Sequence, residues 1–391
     1  MAPISLRLRE RHVVPLAMFF GTFSWSFVYI SLPFHVQRIS TWDEVSTLAW
    51  TGWILGVPNL VTVAVAPFWG GLAERHNPKR LYVLAQTLQG LAFLGMAVAR
   101  TLPELFAVRL VLGFIGASST FAFVSAGRNA DPAEVRRQVV AVQSAMTVGQ
   151  VIGPLAGAIA AARLGFRESF VVGAVILLGC GALVRWGIGE LGDPGRRHTS
   201  SSPARWRDVL VVSVIVLGGS AQVFFLTSIL PQILPPLGVP TDRTLEVGGL
   251  IIFASGVAAA LGSMLASRLG DVMPERRLIP GLLAASSLCV VALAVARSVW
   301  PFGALRFLQV LCVAPVFPLV VARLAQSAGG AAIGVINSAR IGAAFLGPVI
   351  ATSLLAWTSP VAVYLALALM GLACVPLARM PLAVPRGEAR P

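Results

Sequence analysis

Apolar runs about as long as a bilayer is thick recur twelve times along this chain, and short polar turns separate most of them. They lie at roughly 13–36, 46–70, 81–99, 104–127, 138–162 and 168–188, then at 209–235, 246–267, 278–297, 301–325, 331–356 and 360–380. A helix rises 1.5 Å per residue, so about 20 apolar residues cross the hydrocarbon layer. The pattern predicts an all-α membrane protein with twelve transmembrane helices. The scarcity of charge points the same way: 12% of the 391 residues are charged, against about 25% in soluble domains. The run from Val13 follows Arg7, Arg9 and Arg11, as in a signal sequence. It is too long for one and leads into further spans, so it reads as an uncleaved first helix.

The net charge of +14 would suggest nucleic acid in a soluble protein. In a membrane protein it is better explained by Lys and Arg held on the cytoplasmic side. With the N-terminus inside, 21 of the 30 basic residues fall in cytoplasmic segments and 6 in outer loops. The other three, Arg109, Arg306 and Arg340, lie within spans. The expected topology is multi-pass, in a bacterial cytoplasmic (inner) membrane, with both termini cytoplasmic. The expected partners are the lipid bilayer and a small-molecule substrate, with no nucleic acid and a monomeric state.

The two halves of the chain echo each other. Leu32-Pro33 matches Leu230-Pro231, Glu74 matches Asp271, Arg109 matches Arg306, and Gly153-Pro154 matches Gly347-Pro348, at offsets of 194 to 198 residues. From acid to Arg is 35 residues in both halves. The repeat implies two six-helix bundles related by a pseudo-two-fold. Their expected limits are 1–189 and 209–391, joined by a Gly-, Ser-, Pro- and Arg-rich cytoplasmic linker over 190–208.

Charges inside hydrocarbon are expensive, at least ~2.5 kcal/mol for an Arg, and by default mark function. Arg340 lies nine residues into its span, too deep to snorkel easily, with Asn337 one turn before it. Its counterpart in the first half is Met146, and that of Asn337 is Gln143, so Arg340 has no mirror image. The expected role is in a central cavity; the bland alternative is a structural hydrogen bond. Arg109 should face the bundle interior, unless it snorkels to the nearby outer interface. No Asp or Glu lies between Val13 and Val36, and Glu104 is the one acid of the fourth span. Buried cations without buried anions favour an anionic or neutral polar substrate. Trp25 and Tyr29 (i, i+4), Gln222 and Phe225, and Gln143 and Gln150 are further candidates for a substrate site. His35 titrates in the range of a proton carrier, though a lone His at an interface more often serves as a polar anchor.

No cofactor or metal is expected. Cys180, Cys289, Cys312 and Cys374 sit in apolar runs with no C-x-x-C pair, and the four His are scattered. No Gly-x-Ser-x-Gly elbow, H-E-x-x-H or P-loop is present, which speaks against a membrane enzyme or an ATP-driven pump.

Three motifs carry a family resemblance. Gly70-Gly71-Leu72-Ala73-Glu74-Arg75-His76-Asn77-Pro78-Lys79-Arg80 resembles the loop between the second and third helices of the major facilitator superfamily, Gly-x-x-x-Asp-Arg-x-Gly-Arg-Arg. Glu74 replaces the Asp, Asn77 the second Gly, and Pro78 the first closing Arg. Arg109-x-x-x-Gly113 resembles the family's fourth-span motif, whose Arg is linked to proton transfer or substrate binding. Gly149, Gly153, Pro154 and Gly157 resemble the fifth-span run that marks exporters, with Ala158 where the usual form ends in Gly. Taken as helix packing, the same glycines let another backbone approach.

The resemblance implies the family's fold and a secondary transporter, most like the bacterial multidrug and metabolite drug:H+ antiporters. Such a protein would export a small organic molecule by alternating access, coupled to protons. It also implies a gate: Glu74 against the start of the eleventh span, and Arg75 paired with Asp131 or Glu134. Gly70 and Asp271 would belong to the same device. The missing span carboxylate keeps an alternative open: a proton-independent uniporter or exchanger, or an importer, of an organic anion.

Overall fold

A computed structural model describes residues 4–116, 118–119, 121–122, 132–189, 206–325 and 330–380. For Glu74 only the backbone is described. Fifteen α-helices account for most of these residues, and no strand occurs among them. The first group is α1 (Ile4–Tyr29), α2 (Leu32–Ile39), α3 (Glu44–Arg75), α4 (Pro78–Val98), α5 (Leu102–Phe114), α6 (Pro132–Leu164) and α7 (Phe166–Gly187). The second is α8 (Trp206–Phe224), α9 (Leu226–Ile233), α10 (Thr244–Val272), α11 (Glu275–Ala292), α12 (Val299–Val313), α13 (Val316–Ala325), α14 (Gly330–Trp357) and α15 (Pro360–Arg379).

Eleven stretches of described helix are long and apolar enough to cross a membrane. The expected fourth span, 104–127, begins with α5 and then runs into residues outside those described. Large apolar side chains stand exposed on the helices, among them Leu288 and Leu369, as lipid-facing positions require. Trp186, Trp206, Trp300 and Trp357 are exposed at helix ends, where interfacial tryptophans are expected.

Local chemistry sets the helix ends. Asp43 caps α3 by accepting from the Ser46 amide at 3.1 Å. Asn77 caps α4 through the Lys79 amide, with Pro78 at the first turn. Thr101 caps α5. These residues turn the chain sharply between spans.

Two expected single spans are broken helices. The first stops at Tyr29 and restarts at Leu32, with Pro33 in the opening turn of α2. The seventh breaks at Phe225, between α8 and α9, while Pro231 sits inside α9. The matched Leu-Pro pairs therefore lie just past a break in each half.

The chain clusters into two compact units, 1–196 with 240–256, and 197–239 with 257–391. In the first, one core gathers Phe27, Leu32, Ile54, Phe93, Leu112 and Phe170, and a second gathers Met18, Trp69, Tyr82, Phe121 and Val142. In the second unit, Val212, Val216, Ile279, Leu283, Val320 and Ile336 form the core.

Candidate functional site

Among the described residues of the first unit the buried charge is Arg109, 1% exposed. Its position follows from a proline. Pro58 lies inside α3 and has no amide N–H, so the carbonyl of Ile54, four residues before it, loses its helical donor. Arg109 Nε donates to that carbonyl at 2.9 Å, and Nη2 donates to the Leu55 carbonyl at 3.2 Å. Gly113, one turn further along α5, rests against Pro58: a Cβ there would come within 2.7 Å of Pro58 Cα and O. Thr62 Oγ1 donates to the Gly113 carbonyl at 2.9 Å. Both defining residues of the Arg-x-x-x-Gly run thus pack α5 against α3 around Pro58.

Trp25 and Tyr29 place their rings 5.7 and 6.0 Å from the Arg109 guanidinium carbon. Trp25 Nε1 donates to Gln89 Oε1 at 2.9 Å, and Gln89 Nε2 donates to the Ile115 carbonyl and Ser118 Oγ. Three of the expected substrate residues, Arg109, Trp25 and Tyr29, are therefore brought together. They form a packed cluster whose hydrogen-bonding groups are largely engaged by protein.

Arg306, the sequence counterpart of Arg109, is also 1% exposed, but it binds a different helix. Nη1 and Nη2 donate to the carbonyls of Gln222 and Val223 at 2.7 and 2.6 Å, in the last turn of α8 where the seventh span breaks. Phe225 lies 5.3 Å beneath its guanidinium. A cation at a helix C-terminus is well placed to satisfy carbonyls with no amide to meet them.

Gln222 is fully buried and engaged: Nε2 donates to Ser287 Oγ and the Leu367 carbonyl, and Oε1 accepts from Ser286 Oγ at 2.7 Å. Gln309 completes the network by donating to Ser286 Oγ and accepting from Arg306. Gln222 and Phe225, expected at a substrate surface, are core residues with 0% exposure. Sequence reasoning did not single out Ser286, Ser287 or Gln309. The signal was present: Gln309 lies one turn from Arg306, and the Ser pair interrupts an apolar span.

Arg340 on α14 has a different environment. Its guanidinium carbon lies 5.2 Å from the Phe317 ring centre. Its Nε is sealed from solvent without a hydrogen-bond partner. It borders a cavity of about 160 Å³ whose other walls include Gly219, Ser220, Val223 and Phe224 of α8, Ala259 and Ser263 of α10, and Phe317 of α13. Among the described lining residues no other is ionisable. Asn337, Gln143 and Gln150 are exposed. A larger recess of about 480 Å³ lies among Trp42, Ser46, Ala49, Trp50, Trp53 and Phe106, and its walls are almost wholly apolar.

On α6, Gly149, Gly153 and Gly157 face α1. A Cβ on any of them would strike main-chain atoms of Phe19, Phe23 or Phe27 in turn. The absent side chains let the two backbones meet over two turns. Pro154 is buried beside them. His35 is 2% exposed between the rings of Phe166 and Phe170, at 5.5 and 5.1 Å, and neither of its ring nitrogens has a hydrogen-bond partner.

Of the expected gate, Gly70 and Arg75 lie in the last two turns of α3 with the Glu74 backbone, and Asp271 is exposed at the end of α10. Asp131 lies outside the described residues. Glu134 accepts from Gln138 at 3.2 Å and lies 3.8 Å from Arg137.

The sequence matches the Major Facilitator Superfamily over residues 15–242 and again over 224–391. The chain belongs to this superfamily. Superfamily proteins are transporters, so this multi-pass membrane protein is a transporter and not an enzyme. It is 25% identical over 315 residues to the multidrug resistance protein MdtG of Serratia proteamaculans (strain 568), covering 77% of this chain and 75% of the relative. It is 24% identical over 355 residues to an uncharacterized MFS-type transporter, YuxJ, of Bacillus subtilis (strain 168), covering 86% of this chain and 88% of the relative. Among solved structures, a bacterial homologue of the human lysosomal transporter Spinster, inward-facing and occupied, superposes with a TM-score of 0.73. That match has 14% identity and covers 96% of this chain and 95% of the other.

Proposed function

We propose that this superfamily member exports a small organic molecule, a drug or metabolite, by alternating access and draws on a proton gradient to do so. In this reading the bundles are 1–189 and 209–391, joined by the cytoplasmic linker 190–208, in a bacterial cytoplasmic membrane with both termini inside. The working unit is a monomer. The observation that carries the reading is the backbone-to-backbone seat of Gly149, Gly153 and Gly157 on α1. It gives the exporter-type run of the fifth span a physical role, as a smooth, side-chain-free seam between helices that must move. The kinship to multidrug resistance proteins supports it. Glu74, Arg75 and Asp271 form the inner latch in this scheme, the Glu74 anion meeting a helix N-terminus.

A drug and metabolite susceptibility panel in cells lacking or overproducing the protein tests export. Increased tolerance on overproduction is expected, and unchanged tolerance across a broad panel defeats the reading.

One observation favours a second reading. Among the described residues the one buried acid is Asp208, in the first turn of α8, away from mid-span. A transporter without a mid-membrane carboxylate would work as a proton-independent exchanger, uniporter or importer of an organic anion. Flux in proteoliposomes with and without an imposed pH gradient separates the two, since strong stimulation by the gradient discards the second.

A further inference from the structure

We propose that the cavity at Arg340 is a subsite for the anionic head group of the transported molecule, a carboxylate, phosphonate or sulfonate. The proposal rests on the transporter reading and names the substrate class. Arg109 and Arg306 act as internal controls. Each is buried, and each directs two of its nitrogens at main-chain carbonyls beside a helix proline or a helix break. That is how this fold uses a structural arginine. Among the described residues Arg340 has no such carbonyl bond: its Nε is enclosed and unpartnered, as that of Arg306 also is, but no carbonyl meets its other nitrogens, and its one close neighbour of note is the face of Phe317.

A ring face offsets only part of the cost of holding a cation away from water, about 0.5–2 kcal/mol. The planar guanidinium fork remains free to take a carboxylate or phosphonate in a bidentate grip. The hydroxyls of Ser220 and Ser263 on the same walls supply neutral donors. Among the described residues no acid lines the cavity to compete for the cation.

Size decides what enters. The cavity holds about 160 Å³, whereas pockets for whole drug-sized molecules run from about 300 Å³ upward. A head group fits and a whole drug does not. Phe224 and Phe317, on the same walls, would flank the start of an apolar tail.

The test uses the full chain in lipid nanodiscs. Titration calorimetry with phenylphosphonate, benzoate and the neutral isostere benzamide is run on the wild type and on R340Q, R340K and A259L. The wild type is expected to bind the two anions and not benzamide. R340Q should lose affinity by about 10- to 100-fold, as for a charge-assisted hydrogen bond. R340K should fall between, keeping charge without the fork. A259L fills the cavity while leaving Arg340 in place, and should also lose anion binding, which a folding defect specific to R340Q would not explain. Equal binding by wild type and R340Q overturns the proposal, as does equal binding of benzamide, or no anion binding by the wild type. A parallel flux assay keeps the two readings apart. If neutral or cationic compounds are exported equally by wild type and R340Q, the subsite falls and the transporter reading stands. If anion binding depends on Arg340 but no panel compound moves, the subsite stands and the exporter reading falls.

Discussion

The Arg109–Gly113 pair sits where a substrate or proton role is expected, yet its partners are Ile54, Leu55 and Pro58. At Ile54 the arginine supplies the donor that the proline removed. This makes a double-mutant cycle informative. Arg109→Ala strands the buried Ile54 carbonyl and should destabilise the protein by about 1–3 kcal/mol. Pro58→Ala restores the amide that Ile54 lacks, so the penalty of Arg109→Ala should shrink in that background. Thermal unfolding of the four proteins in nanodiscs measures the coupling, and additive effects would show that the arginine does not serve the kink. At Arg340 the expectation is opposite in kind: Arg340→Ala should abolish transport while folded protein remains in the membrane. Wild-type flux in that variant would remove Arg340 from the site.

At the scale of helices, the α1–α6 seam and the α3 cap carry the tests. A Cβ on Gly153 would come within 2.7 Å of the Ser26 Cβ and 2.8 Å of the Phe23 carbonyl of α1, so Gly153→Leu has no room to fit without parting the helices. Loss of flux with retained membrane insertion is expected, and normal flux would mean the seam is dispensable. Asp43 heads α3, and its hydrogen bonds to Ser46 hold its carboxyl below the usual aspartate range. A lowered folded-state value means the cap contributes fully above the ordinary aspartate pKa. The contribution is then lost as pH falls through the lowered value. Hydrogen exchange at the first-turn amides of α3 should quicken across that acid window in the wild type. It should be fast and pH-insensitive, after correction for intrinsic rates, in Asp43→Ala.

For the molecule as a whole, the repeat shows how far pattern reaches. Twelve apolar runs and matched landmarks at a near-constant offset gave the helices and the internal repeat, because hydropathy and spacing are properties of the chain alone, while the family was legible only in three motifs that resemble it. They did not show that the matched arginines would choose unlike partners, α3 for Arg109 and the end of α8 for Arg306. Nor did they show that Gln222 would be consumed by Ser286, Ser287 and Leu367. If the whole molecule couples protons, an imposed gradient should accelerate efflux in proteoliposomes and a protonophore should abolish the acceleration. Indifference to both would favour the anion-exchange reading.

The sequence by itself determined that this chain lives in a bilayer, how many times it is built to cross, and where its costly charges lie, since the energy of placing a residue in hydrocarbon depends chiefly on that residue and its near neighbours. Only the tertiary structure decided which charges are spent and which are left over. A guanidinium is satisfied or stranded according to which carbonyls the packing brings within about 3 Å, and that depends on kinks and breaks in helices far away along the chain.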